Sequence, residues 1–351
     1  MTSNRTHLGA MTQARQRTMT QQGMTLIEVL VALVISLLIG IASISALAVA
    51  RQGFTTVDAS SQLRDNARFS ADLISRIALQ AGYKDRAYAF QPASASDMAL
   101  NATPNVSGYN NALISSSDPI NSSTARTSSV AGYGSDVLIL MHQNTESYAG
   151  SGLPDGSMID CMGNSSTAGV DLPSDRYDRV TSVLHVDVSQ GETSLMCTTQ
   201  KKSTGLWSTQ PIVQGVENFQ VLYGTDNVIA NTAPTAPNTA VPCPGCTSVP
   251  NRYLRADQMV VSGDSVATNN NWRRVRSIRI GMVLRGTLNS QQERVSQTFY
   301  PFGVAKASNA GAVGSALSGS ADIGTVFTPT VDGRLRQTLS FTVHLRNDQG
   351  P

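Results

Sequence analysis

The sequence predicts an α+β protein in which one long N-terminal helix packs its outer half on an antiparallel sheet. Three observations lead there. An uncharged apolar run from Val29 to Ala50 continues, without proline, into a stretch from Arg51 to Ala81 with apolar residues at three- and four-residue steps. Short β-branched segments follow, beginning at Asp136 and closing at Asn347. The 28 glycines and 14 prolines spread through 351 residues demand much turn and loop between those segments.

That length allows two average domains, or one domain with a long helical extension. Charged residues make up only 14% of the chain and the net charge is +2, with no basic tract, so charge gives no support for nucleic-acid binding. Aromatic residues are 5%, and neither a stacking platform nor a sugar-binding groove stands out.

The N-terminus carries the sharpest signal. Residues 1–23 are polar and basic, with Arg5, His7, Arg15 and Arg17, no acid, and Gln21-Gln22-Gly23 at the end. From Met24 to Ala50 the only ionisable side chain is Glu28. About 20 such residues span a bilayer core. The basic flank predicts a cytoplasmic N-terminus with the rest of the chain outside. A secretory signal cleaved after Ala48 or Ala50 fits poorly, because the apolar run exceeds the ~7–15 residues of a signal core. A plain anchor leaves Glu28 as an unexplained cost of ~2.5–3.5 kcal/mol deep in lipid.

The join Gly23–Met24, followed by Thr25-Leu26-Ile27-Glu28 and a long uncharged helix, resembles the prepilin peptidase and methylation motif of type IV pilins and pseudopilins. The resemblance implies cleavage after Gly23, N-methylation of Met24, and Glu28 as a buried acid that neutralises a neighbour's N-terminal amine in the filament. A buried charge needs such a partner. Met24 departs from the phenylalanine most common in major pilins. The first proline is Pro92, and Gly40 and Gly53 are the only weak points, so less kink is expected than in major pilins. A start at Met11 would still leave a basic leader containing Arg15 and Arg17, whereas Met19 would leave none.

In the second half of the helix, Leu63, Ala67, Ala71, Ile74, Ala78 and Ala81 form one apolar face, and Gly82 is placed to end it. Arg68–Asp72 and Asp72–Arg76 are spaced for ion pairs on the outer side. A rod of about 85 Å cannot be stable alone in water, so its second half should pack on a sheet. A coiled-coil stalk fits less well, because the stripe is short and rich in alanine. Residues Gln62–Tyr83 resemble the PilW family of minor pilins, and Asn66, Arg68, Phe69, Ala81, Gly82 and Tyr83 carry the match. Lys84–Ser135 reads as a long surface loop.

Strands are expected at Asp136–His142, Ser182–Val188, Ser194–Thr199, Pro211–Tyr223, Val275–Arg285 and Leu335–Asn347, with a turn at Gly224-Thr225-Asp226. The segment Gly215–Asp226, the late strand with Ile278, Ile280, Met282 and Leu284 on one face, and the ending Leu345-Arg346-Asn347 again resemble the PilW family. The implied organisation is a cleaved leader (1–23), a transmembrane and filament-core helix (24–50), its amphipathic continuation (51–83) and a head (84–351) of type IV pilin-like fold.

Four cysteines, Cys161, Cys197, Cys243 and Cys246, suggest two disulfides in an exported protein. Cys243-Pro244-Gly245-Cys246 lies in a proline-rich loop with no helix to lower a thiol pKa and no histidine nearby. A locked surface turn therefore outweighs a redox dithiol or half a zinc site. Cys161 and Cys197 would then tie a loop to a strand, with other pairings still open. His7, His142, His185 and His344 are scattered, and no nucleophile elbow, phosphate loop, calcium loop or acid/base pair is present. Neither an enzyme, a cofactor nor a metal site is expected.

The family resemblance implies a minor pilin that initiates pilus assembly or caps the tip, supporting motility, adhesion or DNA uptake. Its implied partners are the prepilin peptidase, other minor pilins, the major pilin and a tip adhesin. It implies a single pass of the inner membrane with a periplasmic head, and then the pilus. Two other readings stay open: a type II secretion pseudopilin, and a periplasmic binding or adhesive protein with a cleaved signal.

Overall fold

The computed structural model describes residues 23–85, 103–165, 172–173, 177–234, 247–304, 317 and 322–347. The chain divides into two compact units, Met1–Gly53 and Phe54–Pro351, and helix α1 (Leu26–Gln80) contributes to both. Rich in Leu, Ala and Ile and free of proline, α1 runs unbroken through Gly40 and Gly53. It ends where expected. Gly82 takes φ 77°, the left-handed conformation that a Cβ disfavours. The Gly82 N–H turns to the carbonyl of Met141 at 2.9 Å, and Tyr83 O accepts from Gln143 N at 3.0 Å.

Ala59, Leu63, Ala67, Ser70, Ile74, Ile77 and Ala78 form the buried stripe of α1, at steps of three and four. Ala71, expected on that stripe, is only half-buried. Ser70 takes its place, with its hydroxyl donating to Asn66 O at 2.6 Å. Arg68, Asp72 and Arg76 stay exposed and form no ion pair among the described residues. Ordering such long exposed chains costs as much as a surface pair gains.

Two antiparallel sheets meet this stripe. The first has the order β1 (Val106–Tyr109), β4 (Val137–His142), β5 (Val180–Ser189), β6 (Glu192–Lys201), β7 (Leu206–Gln214). The second runs β11 (Arg336–His344), β10 (Val275–Arg285), β8 (Val216–Thr225), β9 (Arg252–Leu254). Leu63, Ile74 and Ile77 share one core with Leu138 and Leu184 of the first sheet and with Phe219 and Ile280 of the second. A hairpin of β2 (Ala112–Ile114) and β3 (Ser123–Ala125) covers the opposite face of β4, where Val137, Ile139 and Met141 pack with Val183 and Ala112.

Polar groups stitch the layers together. The buried Asp136 accepts from Asn111 N at 2.9 Å and from Val221 N at 2.8 Å, while its own N–H donates to Phe219 O at 2.7 Å. Glu217 accepts from Arg285 at 3.0 Å and Arg336 at 2.6 Å. Glu192 accepts from Arg285 at 2.7 Å and Arg334 at 3.0 Å, so the ends of β6, β8, β10 and β11 are clamped.

Three expectations are corrected, and two helices are added. Residues 103–135 are not a loop but hold β1, β2 and β3, whereas 86–102 lie outside the described residues. Pro211–Tyr223 is two strands, divided at Gly215 (φ 83°), and Gly224 and Thr225 belong to β8 rather than to a turn. Strand β10 is buried on both faces. Pro301 and Phe302 cover Gly281, and a Cβ there would lie 2.8 Å from the Pro301 Cβ. Two short helices, α2 (Ala256–Met259) and α3 (Ser265–Trp272), were not expected at all.

Candidate assembly site

The start of α1 is built from Thr25 and Glu28. A helix leaves its first N–H groups without partners. Here the Glu28 carboxylate accepts from Thr25 N at 2.9 Å and from the Thr25 hydroxyl at 3.0 Å, while Glu28 N donates to Thr25 Oγ1 at 3.4 Å. This reciprocal capping box also places a negative charge at the positive end of the helix dipole. The spacing Thr25-x-x-Glu28 was legible as a box, and reading Glu28 only as a lone acid missed it.

Within the chain Glu28 is exposed. Burying it requires surface from outside the chain. That surface is demanded by the neighbours of Glu28. Met24 is 71% and Leu26 81% exposed, and the apolar side chains continue exposed to Val49. By length and composition, α1 is apolar enough to cross a membrane. Ser43 and Ser45 donate their hydroxyls back to Ile39 O and Ile41 O at 2.8 and 2.9 Å, which leaves no unmet donor in an apolar surrounding.

The model of the prokaryotic N-terminal methylation motif matches residues 18–44, a span that holds Gly23, Met24, Thr25 and Glu28. The model of type IV pilus-assembly protein W matches residues 184–347. The chain is thus similar to type IV pilus-assembly protein W over its second half and to the methylation motif at its N-terminal helix. Among solved structures, a type IV-like pilin from Thermus thermophilus is similar at 14% identity and a TM-score of 0.35, over 82% of this chain and 98% of that one. No curated protein matches.

The matched span begins within β5 and runs past β11, and so includes Gly215–Asp226 and both late strands. The similar wording at Gln62–Tyr83 lies outside the match. Besides the bonds of Asp136, a disulfide and a side-chain amide tie the matched span to the rest of the head. Cys161 and Cys197 are bonded, joining the 143–165 loop to β6, and both are buried. Asn347, at the end of the match, donates its side-chain amide to the carbonyls of Leu79, Gln80 and Ala81 at 3.1–3.4 Å. Cys243 and Cys246 lie outside the described residues.

Among the described residues the histidines form no reactive cluster. His142 and His185 are buried on β4 and β5, and burial lowers both to a pKa of about 4; His185 Nε2 lies 3.0 Å from the Thr198 hydroxyl. No group of three or more His, Cys, Asp or Glu that could hold a metal occurs among the described residues. The arrangement offers surfaces and anchors, and residues 184–347 are similar to a pilus-assembly protein.

Proposed function

We propose that the chain is a minor pilin of a type IV pilus. In this reading prepilin peptidase cuts after Gly23, Met24 is N-methylated, and the subunit joins other minor pilins and the major pilin to initiate the filament or cap its tip. Before assembly it sits in the inner membrane with its head on the periplasmic side. Motility, adhesion or DNA uptake is the process it supports.

The observation that carries this reading is the capping box of Thr25 and Glu28 at the mouth of an exposed apolar helix, inside the matched methylation motif. In lipid or among packed helices, a carboxylate loses its water and requires a cation. Cleavage creates one, the Met24 amine, beside the equivalent acid of a neighbouring subunit. Thr25 meanwhile holds the Glu28 carboxylate at the helix end, in a fixed position to receive it. The similarity to type IV pilus-assembly protein W favours a pilus over a type II secretion filament.

Glu28→Leu tests it. Membrane insertion and head folding should persist while surface pili are lost, counted by electron microscopy. Normal piliation in that variant contradicts the assembly role.

A further inference from the structure

Away from the assembly helix, the head contains a cleft of about 590 Å³. One wall is β1 to β3, with Ser107, Tyr109, Asn110 and Ser123; the other is α2 and α3, with Asp257, Ser265 and Trp272. Its volume lies within the ~300–1,000 Å³ of sites that take small ligands. It lies wholly within residues 103–272, so its ligand can be tested apart from filament assembly.

The walls are held rigidly. Tyr109 donates its hydroxyl to Ile120 O at 2.6 Å, and Trp272 meets Tyr223 edge-on with ring centroids 4.7 Å apart. The Thr268 hydroxyl accepts from Val261 N and donates to Asp264 O, both at 2.9 Å. Arg255 grips both oxygens of Asp257, at 2.9 and 2.8 Å, fixing the direction of its remaining lone pairs. By contrast, the side chains of Ser107, Asn110, Ser123 and Ser265 make no hydrogen bond among the described residues.

Four uncommitted hydroxyl and amide groups thus line a cleft whose remaining surface includes Ala112, Ile120, Val260 and Trp272. No lysine or arginine lines it, and its one ionisable acid is Asp257. Phosphates, nucleic acids and acidic sugars would find no lysine or arginine in the lining, and the cation beside Asp257, Arg255, is already committed to it. A ligand that alternates hydroxyls with C–H faces matches both kinds of surface. We propose that this cleft binds a neutral glycan, with Asn110, Ser123 and Ser265 contacting its hydroxyls and Asp257 accepting from them. Tyr109 and Trp272 both line the cleft, and so supply the aromatic surface that sparse aromatics concealed in the sequence.

The test uses the full-length protein in a detergent without a sugar headgroup, applied to an array of neutral, aminated and sialylated oligosaccharides. Wild type should retain neutral oligosaccharides. Asn110→Ala and Ser123→Ala should each weaken binding about fivefold, the loss of one hydrogen bond. Ser265→Trp should abolish it by filling the cleft, with thermal melting unchanged in the alanine variants. Failure to bind neutral glycans, a preference for sialylated ones, unaltered binding by all three variants, or cross-linking of the cleft to another pilus subunit in place of sugar would each overturn the assignment.

Discussion

The side-chain amide of Asn347 donates to the main-chain carbonyl of Ala81 at 3.1 Å, with Leu79 O at 3.2 Å also in reach. A helix leaves its last four carbonyls without intrahelical partners. Here residues from opposite ends of the sequence supply them. Beside Asn347, Gln80 exchanges hydrogen bonds with the main chain of Ile159, two residues before Cys161. The Gly82 N–H is held by Met141 O at the end of β4. The end of α1 is therefore a junction of the PilW-like span, the disulfide loop and the first sheet.

Asn347→Ala should destabilise the head by about 1–2 kcal/mol, the cost of carbonyls left without their donor. Chemical denaturation of wild type and variant measures it. Hydrogen exchange should rise at residues 78–83 before it rises in β8 or β10.

Breaking the Cys161–Cys197 bond should cost about 3–4 kcal/mol, since its sequence separation is 36 residues and a cross-link of that span restricts the unfolded chain. Cys161→Ser and Cys197→Ser should lose similar amounts, and reductant should lower the wild-type midpoint to theirs. A wild-type midpoint indifferent to reductant would show that the bond contributes nothing.

Stability should fall as the pH drops from 6.5 toward 4. Burial lowers His142 and His185 to about 4, from 6.5 in the unfolded chain. Between those values the unfolded state binds more protons, so each histidine's contribution is complete above 6.5 and is lost on acidification, at about 1.4 kcal/mol per pH unit. Asp136 runs the other way: burial raises its carboxyl, and its contribution declines as the pH rises. His142→Leu isolates the histidine part. Its stability should vary less steeply than wild type between pH 6.5 and 4, in melts recorded across that range.

The long helix, its end at Gly82 and the strands β4, β5, β6 and β10 were legible because each is set by local period and punctuation. Residues 103–135 were not. Their strands are three or four residues long, and distant groups hold them: Asp136 receives Asn111 N, and Arg126 donates to the carbonyls of Ala112 and Ala131. Composition rich in Ser, Asn and Gly hides such anchors. Helix α3 has the polar sequence Ser-Val-Ala-Thr-Asn-Asn-Asn-Trp, which no helical period betrays. Its Asp264 cap and the side-chain bonds from Asn271 to Thr232 O and Met259 O fix it. In the assembly site the residue types were readable, while the partnership of Thr25 with Glu28 needed geometry. The disulfide pairing, left open by four cysteines, is fixed for Cys161 and Cys197 by the meeting of a loop with β6.

The central claim concerns the first residue of the mature chain. Intact mass and N-terminal fragmentation of the protein from membranes and from sheared pili test it most directly. The account predicts loss of residues 1–23 and a single added methyl group on the amine of Met24. A mature chain beginning at Val49 or Arg51 would contradict it.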